Sequence, residues 1–281
     1  MAVPKTQFNC AILFALHCVC NPAAAQQCGS VRTERVLLLA GGFAMGQTAA
    51  IAVRSNDWWT TPTSSFRAVW DGSANREQDG LLHAAIGYHT AQLAAFAWEW
   101  TCVGSNTAAW LAAVTGVAVG LPKEIGDGIH EDKGFSLRDL TWTAVGAVLP
   151  ALHRTVPASR SVLLKVWYWP SDEFRNRPPG GLPQLENDYA GQRYFLAFNP
   201  GRLPGGARPW PSWLGVAVGH SVPYWISQPP IHEWYVTLDL NMRGFAVRAP
   251  WWRKVASVLD QIHFPLPGVR IRDGQWSVGL Y

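Results

Sequence analysis

The sequence has little charge and lacks the short motifs of several common enzyme classes. Asp, Glu, Lys and Arg make up only 15% of its 281 residues, and the 23 basic residues are scattered along the chain. A nucleic-acid-binding surface needs clustered basic residues, so this class of protein is excluded. A phosphate-binding glycine loop, a dinucleotide fingerprint, HExxH, CxxC and GxSxG are absent from the sequence. The enzymes that depend on those motifs are therefore excluded as well.

Tryptophan is the most unusual part of the composition, with 16 copies. Its side chain is enriched where an apolar region meets water or lipid headgroups. Together with the low charge, this abundance favours a membrane-associated protein. A soluble protein with a tryptophan-rich core is the alternative.

Residues 1–25 have the features of a secretory signal peptide. Lys5 supplies a positive charge, residues 11–19 are apolar, and residues 23–25 are the small alanines that a signal peptidase requires. We predict cleavage near residue 25 and export to the bacterial cell envelope, in the periplasm or the outer membrane. Cys28 and Cys102 then remain in an oxidising compartment, where they are candidates for a disulfide bond.

Apolar segments rich in small residues follow, at residues 35–53, 80–100, 106–121 and 138–153. The first is uncharged from Val36 to Val53, a length that nearly crosses a hydrocarbon core of ~30 Å. Small residues let helices approach each other closely within a membrane. We predict that residues 26–153 form a bundle of about four apolar helices, embedded in a membrane or apposed to one. A soluble alanine-rich bundle is the alternative.

Acidic side chains near the end of this region form the main candidate site. Glu124 and Asp127 are three residues apart, so they share a helix face, and neighbouring carboxylates need a cation or a proton between them. Asp139 follows Ser136 at the spacing of a helix cap. Glu124, Asp127 and Asp139 are candidate ligands of a divalent metal ion, and a purely structural cluster is the alternative. Asp139 is also a candidate helix cap, a role compatible with the site.

Asp79 and His83 form a second candidate pair, because a separation of four residues places them on one helix face. A carboxylate beside an imidazole orients the ring and raises its basicity. We therefore predict His83 as a general base that Asp79 orients. A structural aspartate at the start of a helix is the alternative. Both residues lie near a helix end, where a bundle would gather them with the carboxylates.

Several motifs resemble a known family. In the N-terminal half they are Asp79 with His83, Lys123-Glu124 with Asp127-Gly128, and Gly134-Phe135-Ser136 with Asp139 and Gly146-Ala147. In the C-terminal half they are Asp188-Tyr189 with Gly191-Gln192 and Tyr194, Trp213-Leu214 with residues 216–219, and Tyr235 with Leu238-Asp239-Leu240. This pattern resembles the YfiM-type family of predicted periplasmic proteins, a domain of unknown function, and more distantly the VanZ-like membrane proteins. The resemblance implies a place in the envelope rather than a reaction. Gly80 and Thr143 stand where the family usually has Lys and Asn, so a site that needs that cation or amide is altered here.

The C-terminal half changes from helical to strand-like patterning. Residues 154–187 are rich in proline and glycine and are predicted to form an irregular linker. Residues 188–281 are predicted to form a small antiparallel β domain, because residues 232–245 alternate between apolar and polar side chains. Further strands are expected at 194–198 and 214–220, and a terminal hairpin at 269–272 and 275–278 turns at Asp-Gly. An amphipathic helix at 250–263 either covers the sheet or lies on an anionic surface.

The sequence thus predicts an α+β protein with a helical bundle followed by a small antiparallel sheet. The sheet either packs on the helices or presents its aromatic face to lipid, as outer-membrane strands do. The favoured function is a non-catalytic envelope protein that binds membrane lipid or an envelope partner. The alternative is a metal- or carboxylate-dependent hydrolase or transferase that acts on a lipid-linked or glycan substrate.

Overall fold

The computed structural model describes residues 28–70, 74–176, 188–205, 210–224 and 228–281. The predicted signal peptide at residues 1–25 lies outside the described residues. The chain divides into a helical unit, Met1–Gly72 with Ile86–Arg154, and a sheet unit, Ser73–Ala85 with Thr155–Tyr281. The α+β class and the helical N-terminal region are confirmed.

The helical unit consists of long helices with small residues at their contacts. Helix α1 spans Thr33–Asp57, α2 spans Gln78–Trp100 and enters this unit at Ile86, α3 spans Ser105–Gly128, and α4 spans Leu137–Thr155. Among the described residues of the unit, the buried apolar side chains apart from Tyr88 are alanines: Ala91, Ala94, Ala95, Ala108, Ala109, Ala112, Ala113, Ala147 and Ala151. A Cβ atom on Gly87 would stand 2.1 Å from the carbonyl oxygen of Thr143. Helices α2 and α4 therefore approach at a distance that only glycine permits.

Several large apolar side chains of α1, α3 and α4 are exposed. They include Leu37, Leu38 and Met45 on α1 and Trp110 and Val114 on α3. The segments Thr33–Asn56 and Ser105–Gly128 are long and apolar enough to cross a membrane, by length and composition. In the most apolar stretch of the first segment no residue is buried, and in that of the second a third of the residues are buried.

A disulfide bond and a short strand pair connect the ends of the helices. Cys28 is bonded to Cys102, as the sequence suggests. Strand β1, Ala68–Val69, pairs in parallel with β2, Phe135–Ser136. Because β2 immediately precedes α4, this pairing fixes the backbone from which α4 begins.

The sheet unit contains a six-stranded antiparallel sheet in which strands adjacent in sequence are adjacent in space. The strands are β3 Val162–Tyr168, β4 Gln192–Phe198, β5 Leu214–Ser221, β6 Glu233–Leu240, β7 Pro267–Arg272 and β8 Gln275–Leu280. Strand β3 differs from the prediction, since it lies within the supposed linker at 154–187. The prolines that suggested the linker flank the strand, and its seven residues pair along the whole length of β4. Residues 177–187 of that linker lie outside the described residues.

One face of the sheet carries exposed apolar side chains, and the other combines buried polar side chains with an apolar core of Leu163, Phe195, Ala197, Ala217 and Tyr235. Along β6 the predicted alternation is confirmed: Glu233, Tyr235, Thr237 and Asp239 are buried, while Trp234, Val236 and Leu238 are exposed. The strand ends at Leu240 rather than at residue 245, because a 3-10 turn follows at Met242–Gly244. We define the outer face of the sheet by its exposed side chains: Leu196, Phe198, Val216, Val218, Trp234, Val236, Leu238, Ile271, Trp276, Val278 and Leu280.

Ion pairs occupy the opposite, inner face of the sheet. The fully buried Lys165 places its Nζ atom 2.8 Å from Asp239 Oδ2 and donates to the carbonyl oxygen of Leu240 at 2.6 Å. Asp239 Oδ1 lies 3.0 Å from Nδ1 of His263, whose ring stacks on Phe195 with centroids 3.7 Å apart. Buried charges are tolerated when they are paired and hydrogen-bonded. The polar residues of β6 therefore point inward to reach these partners.

The terminal hairpin is confirmed, and the helix before it is shorter than predicted. Asp273 and Gly274 join β7 to β8 with φ values of 48° and 75°, the left-handed conformations of a tight hairpin turn. Helix α5 spans Pro250–Leu259 instead of 250–263. It ends early because Ile262 forms a bridge with Val166 at the edge of β3.

Candidate functional site

Four charged side chains converge where α3 ends and α4 begins. We call them the lysine–carboxylate cluster: Lys123, Glu124, Asp127 and Asp139. The Lys123 Nζ atom lies 2.9 Å from Glu124 Oε1, 3.2 Å from Asp127 Oδ2 and 4.0 Å from Asp139 Oδ2. The three carboxylates are nearly buried. The structure thus brings together the three acidic residues that the sequence predicted as metal ligands, around one ammonium group.

Helix ends explain how the acidic residues reach one another. Glu124 and Asp127 lie on the final turns of α3. Ser136 caps α4, because its Oγ accepts the backbone N–H of Asp139 at 3.0 Å. The backbone N–H of Ser136 in turn donates to Glu124 Oε2 at 3.1 Å. Glu124 therefore makes the bond that a glutamate within α4 would make in a capping box, and it connects the two helices.

Two tryptophans that follow α1 contact the Asp127 side of the cluster. The indole N–H groups of Trp58 and Trp59 both donate to Asp127 Oδ1, at 2.8 and 2.7 Å. The Trp59 ring also stacks on His130 with centroids 5.7 Å apart. A Cβ atom on Gly126 would stand 1.9 Å from the Trp59 ring. Glycine at 126 is therefore what allows the indole to reach the carboxylate.

The Lys123 ammonium is the cation that the neighbouring carboxylates require. Burial by itself lowers the pKa of Lys123, but attraction from Glu124, Asp127 and Asp139 outweighs it and holds the pKa above its usual range. Lys123 is therefore charged at all physiological pH values. A divalent ion on the same oxygens would have to displace this ammonium. The role of the three carboxylates as metal ligands stays a prediction.

The other two predicted residues belong to the sheet unit. Asp79 and His83 lie on the first turns of α2. The Oδ1 atom of Asp79 accepts a hydrogen bond from the Tyr189 hydroxyl at 2.6 Å, and His83 is buried. The hydrogen bond from Tyr189 is consistent with a structural role for Asp79 at the start of the helix. The roles of His83 as a base and of Asp79 as its orienting group stay predictions.

A buried polar chain in the sheet unit was missed by the sequence analysis. Gln78 Oε1 lies 3.0 Å from Nδ1 of His220, and His220 Nε2 lies 3.0 Å from Nδ1 of His232. The Gln78 amide also donates to the backbone oxygen of Gln192 at 2.8 Å. Burial, followed by repulsion from His232, lowers the pKa of His220 to about 4. His220 is therefore neutral at neutral pH.

Some of the missed site residues left a local signal in the sequence and others did not. Lys123 stands four residues before Asp127, the spacing of an ion pair on a helix. That spacing was sufficient to identify the ammonium as the partner of the carboxylate. Trp58 and Trp59 are separated from Asp127 by nearly 70 residues, and no local pattern predicts their contact.

Comparison with known proteins assigns no family. No family model, no curated protein and no solved structure matches the chain. The likeness to the YfiM-type and VanZ-like families therefore stays a prediction made from the residues alone.

Proposed function

We propose that the protein is a membrane-associated protein of the bacterial cell envelope, which binds lipid directly and without a catalytic step. The main support for this proposal is the distribution of polar and apolar side chains between the two faces of the sheet. A sheet with one face in water normally turns polar side chains toward the water and apolar ones toward the core. Here the inner face holds the Lys165–Asp239 ion pair and the hydrogen bond between His263 and Asp239 beside buried Phe195 and Tyr235, and the outer face is apolar as well as exposed.

The outer face is continuous across the sheet rather than a scatter of single residues. The strand register aligns Leu196, Val218, Val236, Val269 and Val278 in one row that crosses five strands. Contiguous exposed apolar surfaces mark sites that contact a protein or a membrane. A membrane is the better match, because α1 and α3 of the helical unit also carry large exposed apolar side chains.

The lengths of the elements limit how the protein sits in lipid. The strands of the sheet contain six to eight residues, whereas a strand that crosses a bilayer needs ~9–11. The outer face therefore enters one leaflet and does not cross the membrane. Helix α1 has 25 residues and exposed apolar side chains, which is enough to anchor the chain.

Two further features support an envelope location. The signal-peptide pattern at residues 1–25 predicts export. The bond between Cys28 and Cys102 is typical of proteins in an oxidising compartment such as the periplasm.

Vesicle flotation of a charge variant tests the lipid contact. Val236 is 52% exposed at the middle of the outer face, so Val236→Lys should fold normally. Loss of the valine and entry of a charge into lipid cost about 2–3 kcal/mol together, so vesicle binding should fall roughly 30- to 150-fold. Val156→Lys is the matched control, because Val156 is 45% exposed but lies outside the outer face. Equal flotation of both variants and the wild type would reject the proposal.

A metal-dependent hydrolase or transferase that acts on a lipid-linked or glycan substrate is the second candidate function. The convergence of Glu124, Asp127 and Asp139 within the helical unit favours it, since carboxylate oxygens are ligands for divalent cations. Metal analysis of the purified protein is the test. Stoichiometric metal that Glu124→Gln removes would support this function. Metal-free wild-type protein with an unchanged melting temperature in the presence of a chelator would exclude it.

A further inference from the structure

The two edges of the sheet differ in whether their backbone groups are paired. At the β3 edge, the N–H of Val166 donates to Gln261 at 3.0 Å, and the N–H of His263 donates to Val166 at 3.1 Å. The segment after α5 thus covers part of this edge. At the other edge, no strand among the described residues pairs with the outer side of β8.

Hydrogen bonding within the hairpin identifies the β8 backbone groups that point outward. Leu266 and Tyr281 exchange two hydrogen bonds, each 3.0 Å long. Because hydrogen-bonded pairs alternate along an antiparallel ladder, the β8 residues that bond to β7 are Gly279, Ser277 and Gln275. The N–H and C=O groups of Trp276, Val278 and Leu280 therefore point away from the sheet.

Nothing in the β8 sequence protects this edge from pairing. Exposed edge strands usually carry lysine, proline or a bulge that prevents association with another strand. Strand β8 reads QWSVGL, without charge or proline. Its three outward-pairing residues also place their side chains on the outer face, and all three side chains are largely exposed.

We propose that β8 pairs antiparallel with β8 of a second copy of this chain, about a twofold axis at Val278. The outward residues are symmetric about Val278, so Val278 faces its own copy and Trp276 faces Leu280 of the copy. Each of the three residue pairs exchanges two backbone hydrogen bonds, about six in total. The apolar row that ends at Val278 then continues into the row of the second copy.

The pairing rests in part on the proposed lipid contact. An unpaired N–H or C=O group in hydrocarbon costs several kcal/mol, and lipid-exposed sheet edges do not occur there. The β8 strand of a second copy supplies hydrogen-bond partners for the outward N–H and C=O groups of β8. A segment of this chain outside the described residues, or a strand of another protein, is the competing occupant, and cross-linking separates these cases.

Cysteine cross-linking of the full chain in detergent and in vesicles tests the axis. Val278→Cys would face its copy at a hydrogen-bonded position with Cα atoms about 5.5 Å apart, within the range of a disulfide. Trp276→Cys is the control, because residues 276 and 278 are 73% and 72% exposed. In the proposed register the two copies of residue 276 are separated by four residues, roughly 13 Å. Mild oxidation should therefore give dimer for Val278→Cys at a yield at least tenfold above that for Trp276→Cys.

A proline variant provides the second measurement. Val278→Pro removes an outward N–H and leaves the bonds between β7 and β8 intact, which edge strands tolerate. Light scattering should show a dimer for the wild type and a monomer for Val278→Pro. A monomeric wild type, equal cross-linking at 276 and 278, or a different protein bound at β8 would overturn the proposal. Because flotation is measured separately, a monomer that still binds vesicles would reject the pairing and retain the lipid contact.

Discussion

Removal of the Lys123 ammonium is the most direct test of how the lysine–carboxylate cluster is held together. Lys123→Met keeps most of the aliphatic side chain and deletes the charge that lies 2.9 and 3.2 Å from Glu124 and Asp127. Both carboxylates are nearly buried. Removal of one partner from a buried ion pair costs about 3–5 kcal/mol, because the remaining charge is left without compensation. We expect a loss of that size in the free energy of unfolding.

Lys133 provides a matched control within the same unit. Its Nζ lies 2.9 Å from Asp132 Oδ2, the same separation as between Lys123 and Glu124. The two lysine side chains have similar exposure, 18% and 24%, but Asp132 is 44% exposed and Glu124 only 3%. Exposed ion pairs contribute about 0–1 kcal/mol. The Lys133 ammonium also lies 4.4 Å from the centroid of the Trp58 ring, a contact worth about 0.5–1 kcal/mol. Lys133→Met should therefore cost at most about 2 kcal/mol, because Asp132 stays hydrated.

Urea unfolding in detergent, followed by tryptophan fluorescence, measures both variants. Trp58 and Trp59 report on the cluster, since both donate to Asp127. The pH dependence separates lost charge from lost packing. Without Lys123 the ionised carboxylates are disfavoured in the folded state, so protonation at low pH should restore part of the stability. A Lys123→Met variant within 1 kcal/mol of the wild type, or an equally large loss for Lys133→Met, would refute the reasoning.

Two other predictions concern packing and pH. Gly126→Ala places a Cβ atom 1.9 Å from the Trp59 ring, so it should cost about 1–3 kcal/mol and quench or shift Trp59 fluorescence. Gly120→Ala on the same helix meets nothing within 4 Å and should stabilise by about 0.5–1 kcal/mol; equal effects of both changes would contradict the packing argument. The pKa of His220 is lowered from 6.5 to about 4. A lowered histidine pKa gives stability that is complete above pH 6.5 and decreases as the pH falls to 4, by about 2–3 kcal/mol. His220→Asn keeps a donor toward Gln78 and should flatten the unfolding free energy between those pH values, and an unchanged slope would show that His220 is not the titrating group.

The sequence predicted those elements that are specified by residues close to them in the chain. The terminal hairpin follows from Asp273-Gly274, because that pair favours the left-handed conformations that the turn requires. The helical faces that carry Glu124 and Asp127 follow from a spacing of three residues. The cap of α4 follows from Ser136, and its Oγ is bonded as the spacing predicts. Each of these signals lies within four residues of the structure that it specifies.

Elements whose cause is distant could not be predicted in this way. Strand β3 reads VLLKVWY and shows no clear alternation, since three of its consecutive residues are buried. Its charged residue, Lys165, is buried because Asp239 on β6 pairs with it. The sequence around Lys165 contains no sign of that partner, so the segment resembled a linker. Trp58 and Trp59 were missed as cluster residues for the same reason.

The choice of which face of the sheet is buried also determines which side chains the sheet presents to its proposed surroundings. Alternation along β6 fixes which residues share a face, but it does not fix which face is inside. The choice is made by Asp239, which meets Lys165 and His263 only if the polar face turns inward. Once that face is buried, the register places Trp234, Val236 and Leu238 of β6 outside, beside the apolar residues of β5 and β7, while Tyr235 packs in the interior. In water such an arrangement exposes what the hydrophobic effect would bury. In a lipid leaflet the same arrangement is the stable one, because the polar groups are paired with one another and the apolar groups face hydrocarbon.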